Sequence, residues 1–161
     1  MANFYPYLIS SLPMLHFGMK PPFQSERFME YCARFIPETD LAVLKKAELR
    51  EWRDFDTALR NELVKIRSGH LHKDASKYLS PDGYAEPHIT HIALNAHRAP
   101  SILQGEIALD EERWRFLDGL SFGHYFDLEI LLIYHLKLLI LERWDRVTQA
   151  DKAIVLEEAL A

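Results

Sequence analysis

Hydrophobic and polar positions alternate along this chain with the period of an α-helix, and one stretch departs from it. Residues 126–145 read FDLEILLIYHLKLLILERWD, with no Pro or Gly. Between Ile130 and Leu141 only His135 and Lys137 are polar. A helix that is apolar on almost every side is wrapped by other helices or by lipid. Lys137 in mid-stretch argues against a membrane span, which needs about 20 apolar residues in a row. The pattern predicts an all-α helical bundle built around this helix.

The remaining segments read as amphipathic helices and their punctuation. Residues 4–15, FYPYLISSLPML, suit either a short strand or the first turns of a helix, since Pro6 is tolerated at both. Gly18 and Pro21-Pro22 mark a loop over 16–23. A helix is expected over 25–36, capped by Ser25 and ended by Pro37. A long helix is expected over 41–67, capped by Thr39 or Asp40 and closed by Ser68-Gly69. Its stripe is Leu41, Leu44, Trp52, Phe55, Leu59, Leu63 and Ile66. Residues 69–99 are turn-rich around Pro81, Asp82, Gly83 and Pro87, with an alanine-rich helix over 88–98. A helix over 102–119 should face Leu103, Ile107, Trp114, Leu117 and Leu120 inward until Ser121-Phe122-Gly123 breaks it. The apolar helix then runs 126–147, with a last helix from 150. No run of alternating β-branched residues supports a sheet.

Length and composition narrow the function classes. At 161 residues the chain is read as a single helical domain over 1–161, open to continuing past Ala161 because EEALA carries no Gly or Pro stop. With 48% hydrophobic residues it can bury a core, which argues against disorder. The net charge of −5 argues against general nucleic-acid binding. No basic n-region precedes an apolar run at the N-terminus, and the lone Cys32 reads as a small core hydrophobe, so a cytoplasmic location is expected.

Candidate chemistry is sparse. Five of the eight histidines fall within 70–97, and Glu86, His88 and His91 are the best case for a metal site. No HExxH or CxxC accompanies them, so solvated histidines and no metal or cofactor are the expectation. Phosphate loops and GxSxG elbows are absent from the sequence, and Asp110-Glu111-Glu112 reads as a solvated helix face. No catalytic motif argues for an enzyme. Lys137 is expected to reach solvent along its own stem. Glu142, Arg143, Trp144 and Asp145 look like a polar exit of the apolar helix.

Three segments carry a resemblance: FYPYLISSLPML with KPPF after it, LDEERWRFLDGL at 109–120, and FDLEILLIYHLKLLILERW at 126–144. They resemble an uncharacterised bacterial family typically encoded beside V/A-type ATPase subunits. SILQGE at 101–106 looks like a degraded form of that family's Asn-Pro-Leu-rich lead-in. The tyrosine-rich start and the apolar helix are also similar to the funnel-shaped V/A-type ATPase component that couples the central rotor shaft to the membrane ring. Glu129, Tyr134, Glu142 and Arg143 stand at the analogous positions. The resemblance implies an all-α, non-catalytic component like that funnel, cytoplasmic and held at the membrane only through the ATPase. Its partners would be the rotor shaft or membrane ring. The candidate docking residues are Pro21, Pro22, Phe23, Glu142 and Arg143, with Phe23 either presented as an anchor or folded back onto the core. The competing expectations are a metal-dependent enzyme using the His-rich 70–97 region, with His88, His91 and Glu86 as its best ligands, and a helical adaptor unconnected with ATPases.

Overall fold

The computed structural model describes residues 3–80 and 86–160, with side chains through Lys152. The protein is all-α, with no strand among the described residues. In chain order the helices are α1 (Pro6–Ser11), α2 (Ser25–Cys32), α3 (Glu38–Lys46) and α4 (Arg50–His70). A 3-10 turn (Ala75–Tyr78) precedes α5 (Pro87–His97), α6 (Ile102–Leu120) and α7 (Leu128–Leu160). The turn expected at Pro81-Asp82-Gly83 lies outside the described residues. The chain divides into two compact units: Met1–Glu48 with Asp118–Ala161, and Leu49–Leu117.

The first unit is organised by α7, against which α2 and α3 pack. From Leu131 to Glu142 only Leu139 is exposed, and Tyr134 and Lys137 are half-buried. Leu8, Phe28, Cys32, Leu44, Leu131, Ile133, Leu138 and Leu141 are fully buried. Removing a side chain such as Leu132 or Leu138 leaves a cavity worth about 2–5 kcal/mol. Leu139, which the all-round apolar pattern also places inside, is 37% exposed and its loss costs far less. Lys137 reaches the edge and pairs with Asp118, so its charge is neither stranded nor merely solvated. α7 is one continuous helix to Leu160, where the sequence suggests a break near 150. Asp127 starts it: its Oδ1 accepts the Ile130 N–H at 3.2 Å, the N-cap geometry. Gly123, at φ 88°, supplies the left-handed turn just before.

One choice that the sequence leaves open is settled, and other boundaries differ from the expectation. Residues 4–15 choose helix, with Pro6 at the start of α1. Gln24, not Ser25, sits at the N-cap of α2, and Ser25 turns its side chain to another use. The expected 41–67 helix is two helices. α3 ends where Ala47 adopts the left-handed conformation at φ 49°, and Leu49 is extended before α4 begins. Neither Thr39 nor Asp40 caps it; α3 starts behind Pro37 at Glu38.

In the second unit, α4 lays Phe55, Leu59 and Leu63 against Ile89, Ile92, Ala93 and Ala96 of α5 and Leu109 of α6. Phe55 and Phe116 stack with ring centroids 4.0 Å apart. Gly105 is needed here, because a Cβ at that position would lie 2.6 Å from the Ala96 carbonyl oxygen. Asp110 belongs to this core rather than to a solvated face. It is buried and accepts from Arg113 at 2.8 Å, and Arg113 also donates to Asp56 at 2.8 Å. Burial works against the Arg113 charge, but the two carboxylates outweigh it and hold the pKa above its ordinary value. On α6, Trp114 and Leu117 are buried, Ile107 and Leu120 half-buried, and Leu103 is exposed instead of inward.

Candidate docking surface

The Pro21-Pro22-Phe23 loop is anchored rather than projecting. Pro21 is buried, Pro22 is exposed, and Phe23 is half-buried. The Phe23 ring lies parallel to Phe28 at 6.3 Å and tilted to Tyr134 at 6.4 Å. Phe23 therefore folds back onto α2 and α7, the second of the two arrangements that the sequence allows.

Glu142 is buried, not part of a polar exit. Its carboxylate accepts the Ser25 backbone N–H, one of the orphan donors in the first turn of α2. Burial pushes its pKa up, partly offset by that hydrogen bond. The Ser25 hydroxyl meets His135 Nε2 at 2.8 Å, and His135 Nδ1 meets the Leu44 carbonyl at 3.2 Å. A carbonyl only accepts, so Nδ1 carries the proton and Nε2 accepts from Ser25. Burial lowers the His135 pKa, consistent with this neutral ring. The seam joins α2, α3 and α7 through groups that are scattered in sequence. Arg143, one residue on, is half-buried, with its guanidinium 5.6 Å from the Trp144 ring centre.

The N-terminal segment completes this unit. The Tyr5 N–H bonds the Phe126 carbonyl, and the Tyr5 hydroxyl donates to Asp40. Burial and then the Asp40 contact raise the Tyr5 pKa to about 12, while Tyr5 holds Asp40 below its usual range. Tyr134 donates to the Pro13 carbonyl at 2.9 Å. Beside that contact lies an open apolar cavity of about 310 Å³, lined by Ile9, Leu12, Met14, Ile130 and Tyr134 among others. Cys32 is fully buried, and burial raises its thiol pKa to about 12, which makes it an inert packing group.

The same unit carries a group of aromatic residues that periodicity does not single out. Phe4, Tyr7, Phe122, Tyr125 and Phe126 are all exposed. Along the chain, Phe122 is only part of a helix breaker. The signal that marks the group is three aromatic residues within five positions of a loop.

The five histidines within 70–97 are all exposed, in agreement with the expectation of solvated side chains. Glu86 and His88 approach to 3.8 Å with both side chains exposed, but Glu86, His88 and His91 do not bring three donor atoms together. His70 and His97, at the ends of α4 and α5, come together instead, with ring centres 4.6 Å apart. Among the described residues, the one set whose donor atoms lie within 4.8 Å of one another is His124, Asp127 and Glu129. Capping of α7 and the 2.6 Å contact between His124 and Asp127 account for Asp127 without an ion.

No family model, no curated protein and no solved structure matches this chain.

Proposed function

We propose that the protein is a non-catalytic accessory component of a bacterial V/A-type ATP synthase, docked at the central rotor stalk like the funnel that couples shaft to ring. One observation carries this reading. Of the segments that bear the resemblance, 4–15, 20–23 and 126–144 pack on one another in the first unit, through Tyr5 with Phe126, Pro13 with Tyr134, and Phe23 with Tyr134, while 109–120 belongs mostly to the second. Residues scattered over the chain thus form one body. The role is mechanical: helices pinned by buried hydrogen bonds hold a docking face without slipping. Of the sequence-derived docking residues, Pro22 is exposed and Arg143 half-buried, while Phe23 and Glu142 hold the backbone beside them in place. The location that follows is cytoplasmic, peripheral to the membrane through the complex.

The test mixes the purified, folded, full-length chain with shaft and ring proteins from the same source. Binding to one of them at micromolar concentration is expected. Absence of binding to every one of them overturns the assignment.

A further inference from the structure

We propose that the docking face is the aromatic end of the first unit, and that its occupant is a protein surface with an aliphatic centre ringed by Lys and Arg. This rests on the reading above and names the surface and the chemistry of the partner.

The aromatic residues are linked rather than scattered. The Tyr7 ring lies 5.4 Å from Phe35, and Phe35 lies 5.1 Å from Tyr31. The Tyr5 N–H bond to Phe126 ties the start of α1, next to Phe4, to the loop bearing Phe122 and Tyr125. Tyr7 is 71% exposed and Phe122 87%. Single exposed apolar residues need no explanation, but several that the contacts of Tyr5 and Tyr7 bring to one end of a unit do. Large aromatic side chains with few rotors are enriched at the energetic centre of protein interfaces. The supporting backbone is held by the Tyr5–Asp40 hydrogen bond and the His124–Asp127–Ile130 cap, so docking orders little that is not already ordered.

Charge selects the occupant. Asp40 bonds the Tyr5 hydroxyl, and Asp127 and Glu129 stand with His124 next to Phe126, against the basic Arg34 adjoining Phe35 in the chain, whose net charge is −5. Carboxylates around an aromatic centre attract a basic rim and repel both anionic lipid and a second copy of this acidic chain.

The test uses the full-length chain and purified ATPase shaft and ring proteins. A photo-reactive phenylalanine analogue is placed at Phe122 or Tyr7, and at Ile102 as a control. The double variant Phe122→Ser, Tyr125→Ser is assayed beside wild type, with circular dichroism confirming its fold. Cross-links from positions 122 and 7 but not 102 are expected. Affinity should fall roughly tenfold or more in the double variant, and wild-type binding should weaken as salt rises. Wild-type affinity in the double variant, or cross-links from 102 alone, overturns this surface and leaves the ATPase assignment standing. No binding by wild type overturns both. Phe122-dependent sedimentation with phosphatidylcholine–phosphatidylglycerol vesicles, or a Phe122-dependent dimer, also overturns it by giving the face another occupant.

Discussion

The imidazole of His135 is held in one tautomer by its neighbours, and that makes its ionisation a structural event. Protonation would put a second donor on Nε2, facing the Ser25 hydroxyl, inside a buried seam. The native pKa lies below the ordinary 6.5 because burial disfavours the cation. A depressed native pKa contributes stability that is fully present above about 6.5 and is lost as pH falls through the lower native value. Glu142, whose native pKa is raised by burial, works in the opposite sense: its contribution is present in acid and lost as pH rises through the raised value. Comparison with a His135→Gln variant isolates the histidine. At pH 8 the variant should be less stable by about 1–3 kcal/mol, the cost of disturbing buried hydrogen bonds. Below pH 6.5 the gap should narrow, because only wild type then forfeits stability through this ring. Urea unfolding at pH 8, 6.5 and 5 measures it, and a gap that stays constant refutes the assignment.

At the scale of elements, the break between α3 and α4 shows what the chain conceals. Apart from the helix expected from 150, which is the end of α7, every other helix that the pattern implies is present, because Pro87, Pro37 and Gly123 act locally through fixed φ, a missing N–H or a positive φ. No Gly or Pro lies between Pro37 and Gly69, so nothing local announces that the chain turns at Ala47. The visible hint is a gap in the apolar stripe between Leu44 and Trp52. Ser25 looks like a cap for a related reason: the partner of its side chain, His135, is 110 positions away. The seam, and with it the burial of Glu142, depends on tertiary packing that periodicity does not encode. The break makes its own prediction. Ala47 holds φ at 49°, where a Cβ crowds the backbone at a cost of about 1–2 kcal/mol. Ala47→Gly removes that strain and gives back part of it as unfolded-chain entropy. A net gain of about 0.5–1 kcal/mol is expected in urea unfolding. A loss would mean that α3 and α4 do not part here.

The whole molecule is built from a discontinuous unit and a continuous one, and composition does not mark the division. The boundary after Leu117 falls within α6, where no linker sequence appears. Leu49–Leu117 nevertheless closes a core of its own, from Phe55, Leu59, Leu63, Ile89, Ile92, Ala93, Ala96 and Leu109. Its buried charges are also met internally: Arg113 faces both Asp56 and Asp110, Arg60 pairs with Asp56 as well, and Glu62 accepts from Thr90 at 2.9 Å besides pairing with Lys65. The first unit differs, because its seam joins Ser25 to His135 and Glu142 across the length of the chain, so it cannot form until α7 exists. A fragment spanning residues 49–120, which keeps α6 whole, should therefore be helical by circular dichroism and unfold cooperatively on its own. A domain of this size buries a smaller fraction of its surface than a larger one, so its midpoint should lie below that of the full chain. Arg113→Met in the fragment takes away the cation shared by the buried Asp110 and by Asp56, which keeps its pair with Arg60, and should lower the midpoint sharply, because removing one partner of a buried ion pair costs about 3–5 kcal/mol. A fragment that is unfolded at low temperature in buffer would refute the independence of this unit.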